Sequence, residues 1–263
     1  MEFFDTHCHI NDKRFRDDLS DTIDRAKAAR VTQMVTIGTS RETSERCATI
    51  AREFESVFAA VGIQPNCAHE TQTGDWDRIL SLLEEESVIA LGETGLDRHW
   101  DDCPFDIQED FFDRHLRLSQ ERDIPFVVHM RECGDDVLRM LAEARERGPL
   151  RGVMHSFTGD LELMKACVEL GMYISFAGMV TFKRNDELRA VAIEVPADRL
   201  LIETDAPYLS PEPKRKVRRN EPELVVHTAE CLAKARGVTL EEIADQTTKN
   251  ARTFFDFDGR LAY

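Results

Sequence analysis

Eight short apolar runs, each separated from the next by a stretch of helical periodicity, constrain this chain more than any other feature. The runs are Phe3–His9, Gln33–Gly38, Val57–Gln64, Val88–Glu93, Pro125–Met130, Gly152–Phe157, Tyr173–Ala177 and Leu200–Asp205. Helical patterns lie between them over Asp17–Arg30, Ser40–Glu53, Trp76–Glu86, Asp106–Glu121, Asp135–Arg147, Leu161–Leu170 and a short Asn185–Glu194. Strands alternating with helices of this length build βαβ units and a parallel sheet. Eight is the number of strands that closes a TIM (β/α)8 barrel, the expected fold class. A doubly wound open sheet is the competing architecture. After the eighth run, Glu223–Arg236 reads as the closing barrel helix. Thr239–Gln246 and Asn250–Phe255 read as two extra C-terminal helices, with Gly237 as a C-cap and Thr239/Glu242 as a capping box. No linker or low-complexity segment divides the 263 residues, so a single domain over 1–263 is expected.

Six side chains able to bind a metal stand at or just past the C-terminal ends of these runs: His7, His9, Glu93, His129, His155 and Asp205. A barrel gathers the C-terminal ends of its strands on one face, where enzymes of that fold work. His7 and His9 alternate onto one side of their strand, Asp5 shares that side as a possible orienting group, and Cys8 points to the other. Glu93, between Gly92 and Thr94-Gly95, is a carboxylate ending a buried strand, costly unless paired or metal-bound. Loop N–H bonding suits Asp97 better than Glu93. Asp205 is expected to bind metal and take a proton from the attacking water, with Glu203 deeper. The remaining histidines, His69, His99, His115 and His227, read as ordinary surface residues.

The net charge of −16 argues against a broad electropositive surface, although bound cations can dominate the field at a local site. One basic run, Lys214-Arg215-Lys216-Val217-Arg218-Arg219, follows Asp205 and belongs to a loop on the same face of a barrel. Seven cysteines without C-x-x-C spacing suit reduced thiols. With no signal-like N-terminus and no membrane-length apolar stretch, a cytoplasmic location and no membrane partner are expected.

The stretches DTHCHI, VGIQP, GETGLD, VVHMRE, HSFTGD, FAGMVTFK, IETDAPYL and RRNEP, in this order, resemble the TatD family of metal-dependent hydrolases. The resemblance implies two divalent cations per chain (Mg, Mn or Zn). By it, His7, His9, Glu93 and Asp205 would hold one, and Glu93, His129 and His155 the other, with Asp205 and Glu93 catalytic. It also implies Mg²⁺-dependent DNase activity of 3′→5′ exonuclease type on DNA or a related phosphodiester. Related superfamilies often place a carboxylated lysine where Glu93 stands, which favours the TatD branch. Gln64 replaces the histidine usual in VGIHP-type motifs and cannot supply a proton of tunable pKa. Gln64, Arg131, Arg219 and Asn220 are candidate substrate contacts. Metal-activated attack on an ester or amide is the alternative reaction.

Overall fold

The computed structural model describes residues 1–256. Its eight strands are β1 (Phe3–Cys8), β2 (Val31–Ile37), β3 (Val57–Val61), β4 (Val88–Asp97), β5 (Phe126–Arg131), β6 (Gly152–Met154), β7 (Tyr173–Phe176) and β8 (Leu200–Ile202). They hydrogen-bond in sequence order, β1 to β8, as one sheet. The registers of β3–β4, β4–β5, β5–β6 and β7–β8 are parallel. At the β8–β1 join, the Asp205 N–H donates to His7 O (2.9 Å) and the His9 N–H to Ala206 O (2.6 Å). Eight parallel strands in serial order with helical crossovers are the TIM barrel topology, and the doubly wound alternative is discarded.

The helices are α1 (Leu19–Ala28), α2 (Arg41–Glu53), α3 (Asp75–Leu82), α4 (Phe105–Arg122), α5 (Gly134–Arg147), α6 (Leu161–Glu169), α7 (Asp186–Glu194), α8 (Val225–Arg236) and α9 (Leu240–Phe254). Local chemistry sets several of their ends. Ser40 caps α2 by accepting the Thr43 N–H. Gly237 ends α8 at φ +68°, where a side chain would be strained, and Thr239 and Glu242 form the expected capping box of α9.

The two expected C-terminal helices are one. Nothing in Gln246-Thr247-Thr248-Lys249 breaks α9, because its polar side chains are satisfied without leaving the helix. The Thr247 hydroxyl donates to Ile243 O (2.8 Å), Thr248 to Glu2 O (3.0 Å), and the Asn250 amide to Ala197 O and Leu200 O (2.7 and 2.9 Å).

By internal contacts the described chain forms two compact units. One comprises Met1–Val35, Ser156–Met164 and the residues from Ile174; the other comprises Thr36–His155 and Lys165–Tyr173. The first holds β1, β7 and β8, with Phe3, Phe4, Ile10, Phe176, Leu201 and Phe255 fully buried in its core. The second holds β3 to β6, with Val61, Leu91, Phe112, Phe126 and Val128 equally buried. No helix among the described residues is long and apolar enough to cross a membrane.

Candidate metal centre

In the first unit, the end of β1 brings His7 and, one residue past the strand, His9 to one place. His7 Nε2 lies 3.1 Å from His9 Nε2, and Asp205 Oδ1 lies 3.6 Å from the former and 3.5 Å from the latter. Donor atoms around a cation with bonds of about 2.0–2.2 Å are themselves separated by roughly 3.4 Å in tetrahedral geometry. The observed triangle fits that spacing, and two imidazole nitrogens facing each other beside a carboxylate need a proton or a cation among them. His7 is fully buried, while His9 and Asp205 are partly open.

Asp205 follows the end of β8 at φ +54°, a left-handed conformation that aspartate tolerates better than most residues. Two groups fix the turn. The Asp5 carboxylate accepts the Thr204 N–H (2.9 Å), the Thr204 hydroxyl (2.6 Å) and the His7 N–H (3.3 Å). Asp5 is therefore a brace for the backbone of β1 and the strand end at Thr204, not the imidazole-orienting group expected from its alternation. Complete burial pushes its carboxyl up to about 8, against the lowering effect of the Thr204 bonds. Asn220 is the second group. Its buried amide donates to Thr204 O (2.9 Å) and Tyr208 O (2.6 Å), and its Oδ1 accepts the Glu221 N–H. Glu203, also fully buried, accepts the Ser156 N–H at 2.9 Å.

In the second unit, two imidazoles converge on one carboxylate oxygen. Glu93 Oε1 lies 2.9 Å from His129 Nδ1 and 3.3 Å from His155 Nε2. The local cause is an irregularity of β4, whose pairing with β5 shifts register between Leu91 and Thr94. Gly92 and Gly95 permit it: both have positive φ, and a Cβ on Gly95 would sit 2.1 Å from His129 O. Burial pushes the Glu93 carboxyl up, but the charge and hydrogen bonds of His155 and His129 outweigh it and hold Glu93 well below its ordinary range.

β4 continues past Glu93 to Asp97, so Asp97 is more than the expected loop acceptor. Asp97 does accept the His99 and Trp100 N–H groups (2.8 and 3.2 Å). Its Oδ2 also takes His129 Nε2 at 2.9 Å and the Asn66 amide at 3.0 Å. Residues 93, 95 and 97 share one face of a strand, the signal that would have found this link. Burial pushes His129 down and the bonds to Asp97 and Glu93 push it up, with a net rise. Burial raises Asp97, and the His129 and Asn66 bonds bring it down to about 2.

The other candidates fall into two groups. Gln64 caps a short 3₁₀ turn, accepting the Asn66 N–H through Oε1 (2.8 Å), and Arg131 is exposed with its guanidinium 5.5 Å from the Trp100 ring. Arg219 and Asn220 are turned inward. Arg219 is held by Asp18 (2.7 Å), Glu221 (2.6 Å) and Arg14 O (2.7 Å), so its fork is already filled. Lys214 to Arg218 are exposed, and Arg215 rests on the Phe182 ring at 3.8 Å. His115 is the misread histidine: it is buried in α4, accepts the Ile63 N–H at Nε2 (3.2 Å) and pairs with Phe111 O through Nδ1 (2.6 Å).

Comparison with known proteins decides the relationship. The family model of TatD-related DNases matches residues 4–256. The chain belongs to the TatD family. It is 41% identical over 252 residues, 96% of this chain and 98% of the relative, to an uncharacterized metal-dependent hydrolase YabD of Bacillus subtilis. It is 35% identical to the 3′-5′ ssDNA/RNA exonuclease TatD of Salmonella typhimurium, covering 96% of this chain and 98% of that one. The crystal structure of YjjV, a TatD homologue from Escherichia coli, superposes with a TM-score of 0.90 at 30% identity, over 97% of this chain and 98% of that chain.

Proposed function

We propose that this TatD-family chain is a divalent-metal-dependent hydrolase that cleaves phosphodiester bonds, removing nucleotides from the 3′ end of single-stranded DNA or RNA. The observation that carries the reading is the pair of His/acid clusters at strand C-termini, one in each unit, inside a family whose members include a named 3′-5′ exonuclease. His7, His9 and Asp205 would hold one cation, and Glu93, His129 and His155 a second. Mg²⁺ prefers oxygen donors, so a set with four imidazoles favours Mn²⁺ or Zn²⁺ as the tighter ion.

When bound, the cations supply Lewis acidity and a water of lowered pKa. The protein's own groups do the rest. The Asp205 carboxylate receives the proton of the attacking water. Asp97 keeps His129 aimed at Glu93. Arg131 neutralises phosphate charge, and the exposed run Lys214–Arg218 attracts the polyanion. Gln64 uses Oε1 on its own turn and offers Nε2 to a substrate oxygen. Reduced cysteines suit a cytoplasmic enzyme, since all seven are free thiols.

The test is hydrolysis of single-stranded oligonucleotides labelled at either end, with Mg²⁺ or Mn²⁺ and with Asp205→Asn as control. A ladder shortening from the 3′ end is expected. No product above the control, or a larger kcat/KM on acyl esters run in parallel, refutes the reading.

A further inference from the structure

Two large aromatic side chains are substantially exposed among the described residues, Trp100 (50%) and Tyr208 (49%). Trp100 is the more informative. Its backbone N–H is bound by Asp97 Oδ1 at 3.2 Å, while the other oxygen of that carboxylate holds His129 Nε2 at 2.9 Å. One carboxylate therefore fixes both the backbone that carries the surface indole and an imidazole of the candidate metal cluster. The indole itself is positioned by its ring contacts, His99 edge-on at 4.8 Å and the Arg131 guanidinium at 5.5 Å, which leave half of its surface open to solvent.

The surroundings suit a nucleotide. Trp100 borders a cleft of about 310 Å³ with Asp97, Arg98, Cys103, Phe105 and Gln108, at the small end of ligand sites, which span about 300–1,000 Å³. Its shape is held from behind: Gln108 donates to Cys103 O and Asp97 O, and Arg98 lies on the Phe105 ring at 3.6 Å while pairing with Asp136. Arg131 is different. Its guanidinium lies 5.5 Å from the indole centroid, and among the described residues no carboxylate pairs with it, in a chain that carries 50 acids against 34 Lys and Arg. An exposed arginine without an acid beside an exposed tryptophan is the pairing that takes a base on the ring and a phosphate on the fork. Asp101, also on the cleft, would repel a phosphate there, which leaves the cleft to the base and the Arg131 side to the phosphate.

We propose that Trp100 and Arg131 form a nucleotide subsite beside the His129–Glu93 cluster, the indole stacking a base of a single strand and the guanidinium pairing with its phosphate. This rests on the phosphodiesterase reading and names the residues that would make it selective for unpaired strands, whose bases alone are free to stack.

The first measurement is independent of turnover. In a Trp76→Phe protein, Trp100 is the remaining tryptophan, and its fluorescence is followed during titration with a single-stranded oligonucleotide, the matching duplex and an abasic strand, in EDTA. Quenching by the single strand and much less by the others is expected, with binding about ten-fold weaker in Arg131→Ala. Equal response to all three, or none, overturns the subsite. The second measurement uses the metal-loaded protein. Trp100→Ala is expected to raise KM for single strands about ten-fold and leave cleavage of abasic strands unchanged, with Trp100→Phe near the native values. If the native protein cleaves and Trp100→Ala matches it on both substrates, the subsite is refuted while the phosphodiesterase reading stands. If the native protein cleaves neither, that reading fails, and the fluorescence titration still decides the subsite.

Discussion

Asp97 Oδ2 stands 2.9 Å from His129 Nε2, on the ring nitrogen opposite the one that faces Glu93. With Nε2–H donating to Asp97, a cation that displaced the Nδ1 proton now shared with Glu93 would meet an Nδ1 lone pair already aimed at the cluster, the arrangement by which metal-binding histidines are commonly held. Asp97→Asn removes the charge and leaves the loop. Isothermal titration with Mn²⁺ is expected to show affinity reduced about 10–100-fold for the weaker-bound ion. Unchanged affinity would mean that His129 is oriented by packing alone.

Asp205 is the proposed proton acceptor. Its Oδ1 lies within 3.6 Å of two imidazoles at a partly open position, where a water can reach it. Asp205→Asn keeps the size and one acceptor oxygen but cannot take a proton, so kcat is expected to fall by roughly 10²–10⁴ with KM little changed. Chelation should abolish turnover altogether and lower the thermal midpoint. A ligand at 100 times its dissociation constant stabilises by about 2.7 kcal/mol. A native midpoint that EDTA does not move would show that no cation is held.

Asn220 was expected at the substrate and is found beneath the Asp205 turn. Three hydrogen bonds converge on one fully buried amide, so Asn220→Ala strands the partners Thr204 O, Tyr208 O and the Glu221 N–H. Each unsatisfied buried group costs about 1–3 kcal/mol, and partial relaxation leaves an expected loss of about 2–4 kcal/mol in urea unfolding. A variant that loses turnover at full stability would return Asn220 to the substrate.

Much of this arrangement was written in the residue pattern. All six ligand candidates end apolar runs, and the three at the ends of β1 and β8 lie together, His7 and His9 on one side with Cys8 bonded to Val35 O on the other. What the pattern hid were jobs set by partners distant in sequence. Val88–Glu93 looked finished at its acid, because Gly92 and Gly95 resemble a turn; the chain instead stays in the sheet to Asp97. Arg219 looked like a phosphate ligand within a basic run, yet its acids come from Asp18, some 200 residues away, and from Glu221. The residues between Gln246 and Asn250 separate two helical patterns in the sequence, yet the β-branched Thr247 and Thr248, which intrinsically disfavour helix, stay in α9 because their hydroxyls find carbonyls.

His115 provides the pH test. Contrary to the surface position expected, it lies on the apolar stripe of α4 with Phe111, Phe112 and Leu116. Burial pushes its imidazole down to about 4, and protonation would set an Nε2–H against the Ile63 N–H it now accepts. The sign follows from comparing the two states. An unfolded histidine takes its proton near 6.5 and the folded one near 4, so between those values the unfolded state binds more protons and stability rises with pH. Acidifying from pH 7 to 4 is then expected to cost about 3 kcal/mol through this one residue, at about 1.4 kcal/mol per pH unit. His115→Gln keeps a side-chain donor and acceptor without the titration. Urea unfolding of both proteins in EDTA at pH 7 and 4.5 checks it, since all other titrating groups, the candidate metal ligands included, titrate alike in both and cancel in the difference. The variant should lose about 2–3 kcal/mol less over that interval, and equal losses would show that acid unfolds the protein through other groups.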